Sequence, residues 1–150
     1  MKTDVAMYAL SRAGTEKAKV FLAQGMETKR QMMLAHARLD DAMERLRLLT
    51  AAGDDTEEKK RLAGMMQKEE ETFLRHLCSL LDKEKEIKST ILKVPEGMQR
   101  TVLEMRYVHH YSYFDIAEKM QLDERHIYRV HNKALKAAAL VLAEEGKITA

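Results

Sequence analysis

The chain has 150 residues, enough to bury a sizeable core in one or two domains. Charged residues make up 33% and aromatic residues 5%, with one proline and no tryptophan, which disfavours a sheet and predicts an all-α protein. A net charge of +2 excludes a protein that binds polyanions through its overall positive charge alone.

The single cysteine, Cys78, excludes an intrachain disulfide and fits a reducing compartment. Leucines surround it in the sequence, so we expect a buried helical thiol. No signal-peptide pattern opens the chain, and no apolar run approaches the length that spans a membrane. We therefore expect a cytoplasmic protein that makes no membrane contact.

Two short helices are predicted at the start of the chain, over about 3–12 and 15–24, with Gly14 ending the first. A long helix is then predicted over about 26–51. Its apolar residues repeat at the alternating spacing of three and four that is typical of a coiled coil: Met32, Ala35, Leu39, Ala42, Leu46 and Leu49.

Residues 51–58 break this pattern, and Gly53 suits the end of a helix. A second long helix is predicted over about 57–93. Its apolar stripe consists of Met66, Phe73, Leu77, Leu80, Ile87, Ile91 and Val94. The short connection predicts an antiparallel hairpin, although the pattern does not decide whether the helices pair within one chain or between two.

The only proline, Pro95, suits the first turn of a helix and marks a predicted domain boundary. A helical hairpin would occupy 1–94 and a small domain 95–150. The second part holds eight Lys or Arg and eight Asp or Glu, so we expect a weak non-specific hold on nucleic acid. The tail, 147–150, is expected to fray.

The stretch 113–132 has an apolar spacing that one straight helix would not produce. Two short helices joined by a tight turn account for it, with Ser112 and Asp123 as their N-caps. At the turn, Gln121 would adopt a left-handed backbone at a cost of about 1 kcal/mol. The pattern predicts a helix-turn-helix, with a plain helical corner as the alternative. Its predicted core is Ile116, Ala117, Met120, Leu122, Ile127 and Val130.

The sequence from Ile91 to Leu135 resembles region 4 of bacterial sigma factors, in VLEMRY, in Ser112 with Ile116 and Ala117, and in ERHIYRVHNKAL. It is similar to small phage and prophage proteins with such a C-terminal part, related to the ArpU and RinA late-gene regulators of Firmicutes. Looser likeness extends to AKVFL at 18–22 and AMERLRLL at 42–49. That family usually has glycine where His110 and Gln121 stand, so we expect the two turns to differ slightly.

The resemblance implies that the protein binds promoter or operator DNA through the helix from about Glu124, and that it contacts RNA polymerase. The candidates for base contacts are Arg125, His126 and Arg129, because Arg can bridge guanine and His can donate to an acceptor edge. The candidates for backbone contacts are Ser112, Tyr113, Lys119, Tyr128 and Lys133. For Tyr128, packing against the preceding helix is an equally open interpretation.

An enzyme is the weakest interpretation, because the sequence has no Gly-rich phosphate loop, no nucleophile motif and no metal-binding spacing of histidines. We predict no metal and no cofactor, and we expect the histidines on the surface or facing DNA.

The serious alternative to DNA binding is a helical interaction protein that self-associates or docks on RNA polymerase without reading DNA. The neutral charge of 95–150 favours it, and the outward Arg125, His126, Arg129 and Lys133 disfavour it. A homodimer is attractive because two half-sites add their affinities. The sequence does not decide the oligomeric state, the operator or the direction of regulation.

Overall fold

A computed structural model describes residues 2–53 and 56–150 of the chain. These residues form seven helices and no strand, which confirms the predicted all-α fold. The helices are α1 Lys2–Leu10, α2 Arg12–Leu22, α3 Gln24–Ala51, α4 Thr56–Leu92, α5 Gly97–Tyr107, α6 Tyr113–Met120 and α7 Glu124–Glu144. Over the described ranges, none of these helices combines the length and apolar character needed to cross a membrane.

The chain divides into two compact units. The first comprises the residues up to Met26 together with Lys83–Ala150, and the second is Glu27–Asp82. This grouping differs from the predicted boundary between 94 and 95, because α1 and α2 pack against α7. The predicted division into two independent domains stays a prediction.

Within the second unit, α3 and α4 run antiparallel. The rings of His36 on α3 and Phe73 on α4 lie 5.6 Å apart between centroids. A hydrogen bond from Arg61 lowers the pKa of Glu58, and the charge of Arg45 on α3 acts in the same direction. Because early residues of α4 meet late residues of α3, α4 folds back along α3 in the same chain. The predicted break between them falls partly on 54 and 55, which lie outside the described residues.

Cys78 is exposed, so the predicted buried thiol is wrong. On the same helix, Leu77 is half-buried and Leu80 is buried, whereas Leu74 and Leu81 are exposed. Cys78 lies on the exposed side with the latter two. Neighbouring leucines in the sequence therefore do not imply burial where a helix buries only one stripe of its surface.

The first helix ends at Leu10, so the predicted end at Gly14 is wrong. Ser11 caps α2, and its Oγ accepts a hydrogen bond from the Gly14 N–H at 3.2 Å. Gly14 lies in the first turn of α2, where a Cβ would collide with the carbonyl oxygen of Tyr8. The missing side chain allows the backbones of α1 and α2 to approach closely, which is a second use of glycine besides ending a helix.

The tail after α7 is packed, so the predicted fraying is wrong. Gly146 has a φ of 71°, and the N–H of Lys147 donates to the carbonyl of Leu142 at 2.8 Å. This helix end resembles a Schellman motif, which is commonly accompanied by an apolar contact just beyond the glycine. Ile148 provides that contact, buried in one cluster with Ala9, Ala18, Ala139 and Leu142.

Helix α7 is central to the first unit, because it contributes to all three of its apolar clusters. The largest cluster joins α7 to α2, α4 and α5. Its buried residues are Leu22, Ile87, Ile91, Val94, Leu103, Tyr107, Val108, Ala134, Leu135 and Ala138. The C-terminal part of α7 is therefore held from several sides, and its N-terminal part, with α6, forms an outer corner.

Candidate nucleic-acid interface

The corner between α6 and α7 has its own apolar core, to which α5 also contributes. The six residues predicted as the motif core all lie in this cluster. Its buried residues are Val102, Ile116, Ala117, Ile127 and Val130, and its half-buried ones are Met105, Tyr111, Tyr113, Met120 and Leu122. The orientation of α7 at the corner is therefore set by packing against both preceding helices.

Local hydrogen bonds define the two ends of the corner. The Ser112 Oγ accepts from the N–H of Asp115 at 3.1 Å, which caps α6 as predicted. Asp123 stands at the N-cap position of α7, but its side chain makes no capping hydrogen bond. Gln121 has φ 55° and ψ 44°, the left-handed conformation expected for it. Among the residues that the structure describes, the only other non-glycine residue with positive φ is His110.

Substituting Gln121→Gly is expected to stabilise the fold by about 1 kcal/mol, because glycine adopts the left-handed conformation without steric cost. The matched control is Gln67→Gly at an exposed position within α4, where glycine should destabilise by about 1 kcal/mol. Urea unfolding of the two variants checks the opposite signs. A loss of stability in Gln121→Gly would show that the turn is not strained.

A basic face runs along the outside of α7. From 125 to 143 the helix holds four Lys or Arg and no carboxylate. All four are exposed, and their spacing of four, four and three places them on one side over about 17 Å. They are Arg125, Arg129, Lys133 and Lys136. Among the ion pairs formed within 2–53 and 56–150, none uses these cations, so their charge is available to a polyanion.

The formal neutrality of 95–150 conceals this local separation of charge. Three carboxylates, those of Glu118, Asp123 and Glu124, line a cleft of about 600 Å³ beside the turn. The basic side chains lie further along α7. Lys136 was missed as a candidate, although helical periodicity places it on the face of Arg125 and Arg129.

Three other predicted contact residues lie around the corner. Ser112 is exposed, with its hydroxyl engaged as the cap of α6. The Nζ of Lys119 lies 4.8 Å from the ring centroid of Tyr111, so the ammonium group makes a cation–π contact with that ring. His126 is half-buried near the start of α7. Of these three, only His126 lies on α7 with Arg125 and Arg129.

The two predicted tyrosines pack against each other. The ring centroids of Tyr113 and Tyr128 lie 4.6 Å apart, and Tyr128 is 44% exposed. Tyr128 therefore packs against α6 and still reaches the surface, which combines the two interpretations left open for it. The hydroxyl of Tyr113 lies 3.4 Å from Nε2 of His131, so it points inward. This orientation does not favour the predicted phosphate contact of that hydroxyl.

His131 is buried, at 3% exposure, so the expectation of a surface or DNA-facing position is wrong for this histidine. Its Nε2 lies 2.6 Å from the hydroxyl of Tyr107. Burial lowers its pKa to about 4, and the charges of Lys19 and Arg106 act in the same direction. In the neutral ring, the tautomer decides whether Nε2 accepts a hydrogen bond from the Tyr107 hydroxyl or donates one to it. Its position four residues after Ile127, on the buried stripe of α7, was a signal in the sequence.

This burial predicts a loss of stability in acid. Because the pKa of His131 in the folded protein lies below its ordinary 6.5, the unfolded state takes up the proton more readily. The free energy of unfolding is therefore unaffected by the protonation of His131 above about pH 6.5. It decreases by about 3 kcal/mol in total as the pH falls towards 4. Urea unfolding between pH 7 and 4, compared with His131→Gln, should show this extra loss in the wild type only. Parallel pH profiles would contradict the assignment.

The fold and this face define only a broad class, an all-helical protein in which two helices meet at a tight turn and the second has a basic outer face. The chain belongs to the family described as "Protein of unknown function (DUF1492)", whose model matches residues 53–139. The matched stretch runs from the turn before α4 to Ala139 in α7. No curated protein and no solved structure matches the chain.

Proposed function

We propose that this protein is a sequence-specific DNA-binding transcriptional regulator of phage or prophage type. In this proposal α6 and α7 are a helix-turn-helix, and α7 is the recognition helix that lies in the major groove. The observation that carries the proposal is the exposed basic face of α7, which follows directly after the tight turn at Gln121.

The side chains divide by the DNA groups that they suit. Arg125 and Arg129 are near the start of α7, where a recognition helix meets base edges, and each can bridge O6 and N7 of guanine. His126 adds a further donor at the same end. Lys133 and Lys136 lie further along the helix and are assigned to phosphates. On the α6 side, Ser112 and Lys119 are assigned to contacts with the DNA backbone.

The acidic cleft helps to orient the duplex. Glu118, Asp123 and Glu124 repel phosphates from the side of the turn that they line. The DNA backbone is therefore expected along the side of α7 that carries Lys133 and Lys136. Since total charge is small, most of the binding free energy must come from this placement and not from a general positive field.

Further partners belong to the proposal. We place the protein in the cytoplasm with double-stranded DNA, and we include RNA polymerase because of the resemblance to sigma region 4. A second copy of the chain would supply a second half-site. The second candidate function is a helical interaction protein that does not read DNA, and exposed leucines in the 27–82 unit favour it. These are Leu34, Leu48, Leu74 and Leu81.

The phosphate contacts are tested by the salt dependence of binding. Replacing both Lys133 and Lys136 by alanine should reduce the slope of the logarithm of the binding constant against the logarithm of the salt concentration by about 2. Each phosphate contact contributes about 0.9 to that slope. The matched control is Lys85→Ala with Lys88→Ala, two exposed lysines on α4, and its slope should equal the wild-type slope. Titration of a fluorescent random-sequence duplex between about 50 and 200 mM salt measures all three slopes. Equal slopes throughout would contradict the assignment of the two lysines.

A further inference from the structure

Three planar side-chain groups form a continuous series of contacts from α5 to α7. The guanidinium carbon of Arg106 is 4.3 Å from the ring centroid of Tyr113. The centroid of Tyr113 is in turn 4.6 Å from that of Tyr128, with 39° between the ring planes. Both groups therefore contact the same ring. Tyr113 thus contacts a cation from α5 and an aromatic ring from α7.

The guanidinium of Arg106 is fixed by its surroundings. Its Nη1 donates to the backbone carbonyl of Tyr111 at 3.0 Å. Its Nε is buried and has no hydrogen-bond partner among the described residues. A buried donor without a partner is costly, and the contact with the ring face of Tyr113 is the compensating interaction that the geometry shows.

The edge of Tyr113 is fixed as well. The ring of His131 meets it at 77° with 5.2 Å between centroids, and the Tyr113 hydroxyl lies 3.4 Å from the His131 Nε2. His131 and Tyr128 are three residues apart on α7, so both contacts belong to the same side of that helix. Tyr113 thus links α5 to two neighbouring positions on α7.

We propose that Arg106 is a positioning residue for the base-reading face and that Tyr128 is a specificity-determining contact held in place by it. Through Tyr113, Arg106 keeps the ring of Tyr128 against α6 and leaves the rest of that side chain exposed, three residues after Arg125 on α7. There the ring makes an apolar contact with the 5-methyl group of a thymine. The inference rests on the proposed DNA binding and adds to it one base preference and the residue that maintains it.

The physical case for Tyr128 is its partial exposure at a fixed position. It is 44% exposed and lies three residues after Arg125, on the adjoining part of the helix surface. A tyrosine has few rotatable bonds, and stacking on Tyr113 restricts them further, so binding DNA costs little side-chain entropy. An apolar ring edge at this place distinguishes thymine from bases without a methyl group.

The first experiment uses the full-length protein and a duplex selected by the wild type. Each thymine is replaced in turn by deoxyuridine, which removes only the methyl group. At one position the wild type should lose roughly fourfold or more in affinity, the value of one buried methyl group. Tyr128→Ala and Arg106→Met should each remove this preference, and their double variant should do no more than either alone. Tyr128→Phe retains the ring and should retain the preference.

The matched control is Arg100→Met, which removes a half-buried arginine from the same helix without touching Tyr113. Its thymine preference should equal that of the wild type. Far-UV circular dichroism and melting temperature establish that each variant folds. If Arg106→Met does not fold, Arg106→Lys replaces it, keeping the charge but removing the planar group. An unchanged thymine preference in the folded Arg106 variant overturns the positioning role in DNA reading.

A second measurement decides the positioning role without DNA. The ring proton resonances of Tyr128, assigned by comparison with Tyr128→Phe, should move towards the values of an unstacked tyrosine in Arg106→Met but not in Arg100→Met. Unmoved resonances overturn the role of Arg106 even where wild-type DNA binding is established. A wild-type protein that selects no duplex overturns the proposed function and the thymine contact, and the resonances still decide whether Arg106 positions the ring.

Discussion

Replacing both Arg125 and Arg129 by alanine is expected to abolish sequence-specific DNA binding while leaving helix content and oligomeric state unchanged. Each arginine that bridges a guanine contributes roughly 1–3 kcal/mol of discrimination, so the pair accounts for roughly thirty-fold to twenty-thousand-fold in affinity for the selected sequence. Both side chains are exposed, so their removal creates no buried cavity. Fluorescence anisotropy with a selected duplex measures the loss, and circular dichroism and sedimentation monitor the fold and the assembly.

The matched control for this substitution is Arg38→Ala with Arg75→Ala. These arginines are also exposed on helices, in the 27–82 unit, and their removal changes the net charge equally. The control should bind the selected duplex within about twofold of the wild type, because the proposal assigns neither arginine a contact with DNA and salt screens exposed charges. Equal losses in both double variants would indicate a general charge effect, and unchanged binding in Arg125→Ala with Arg129→Ala would refute the assignment.

Substituting Ile127→Ala is expected to destabilise the protein by about 2–5 kcal/mol, the range for large-to-small changes in a packed core. The side chain is fully buried in the cluster that joins α5, α6 and α7. Its loss should also weaken DNA binding, because the corner that orients α7 is packed around it. Urea unfolding measures the stability, with Leu48→Ala as control. Leu48 is 54% exposed and should cost under about 1 kcal/mol.

A cost below about 1 kcal/mol for Ile127→Ala would mean that the corner is not held together by this cluster. Loss of DNA binding in a variant that remains stable would have a different meaning, since it would point to a subtle reorientation of α7. The two observables therefore separate the stability of the corner from its orientation.

Much of the corner could be predicted from the sequence because its signals are local. The spacing of Ile116, Ile127 and Val130 identified the packed faces of two short helices. The left-handed turn at Gln121 and the cap at Ser112 depend on residues only a few positions away. The position of Arg125 and Arg129 on the exposed side of α7 also followed from the helical period alone.

Features that depend on distant partners could not be predicted in this way. Helical periodicity shows which stripe of a helix is buried but not which segment covers it. The burial of Ile148 depends on α1 and α2, more than a hundred residues earlier. Gly14 was interpreted as a helix end because its close neighbour, the backbone of α1, is not visible in a pattern. Cys78 was placed on the wrong side because leucines occur on both sides of α4.

The same limit applied to the candidate site. The inward hydroxyl of Tyr113 is determined by Arg106 and His131, which lie on two other helices. A polar residue such as His131 was assigned to the surface by its type, although its position on α7 belongs to the buried stripe. Total charge was a poor guide to the local charge of the surface, since the cations of α7 and the carboxylates beside the turn cancel in a sum.

The most direct test of the DNA-binding proposal is selection of bound sequences from a random duplex pool with the purified full-length protein, at low and at moderate salt. The proposal predicts an enriched motif that contains guanines and persists at moderate salt, since base contacts depend less on ionic strength than phosphate contacts do. A palindromic motif would further indicate a dimer. No enrichment at either salt concentration would contradict DNA reading and favour the helical interaction protein.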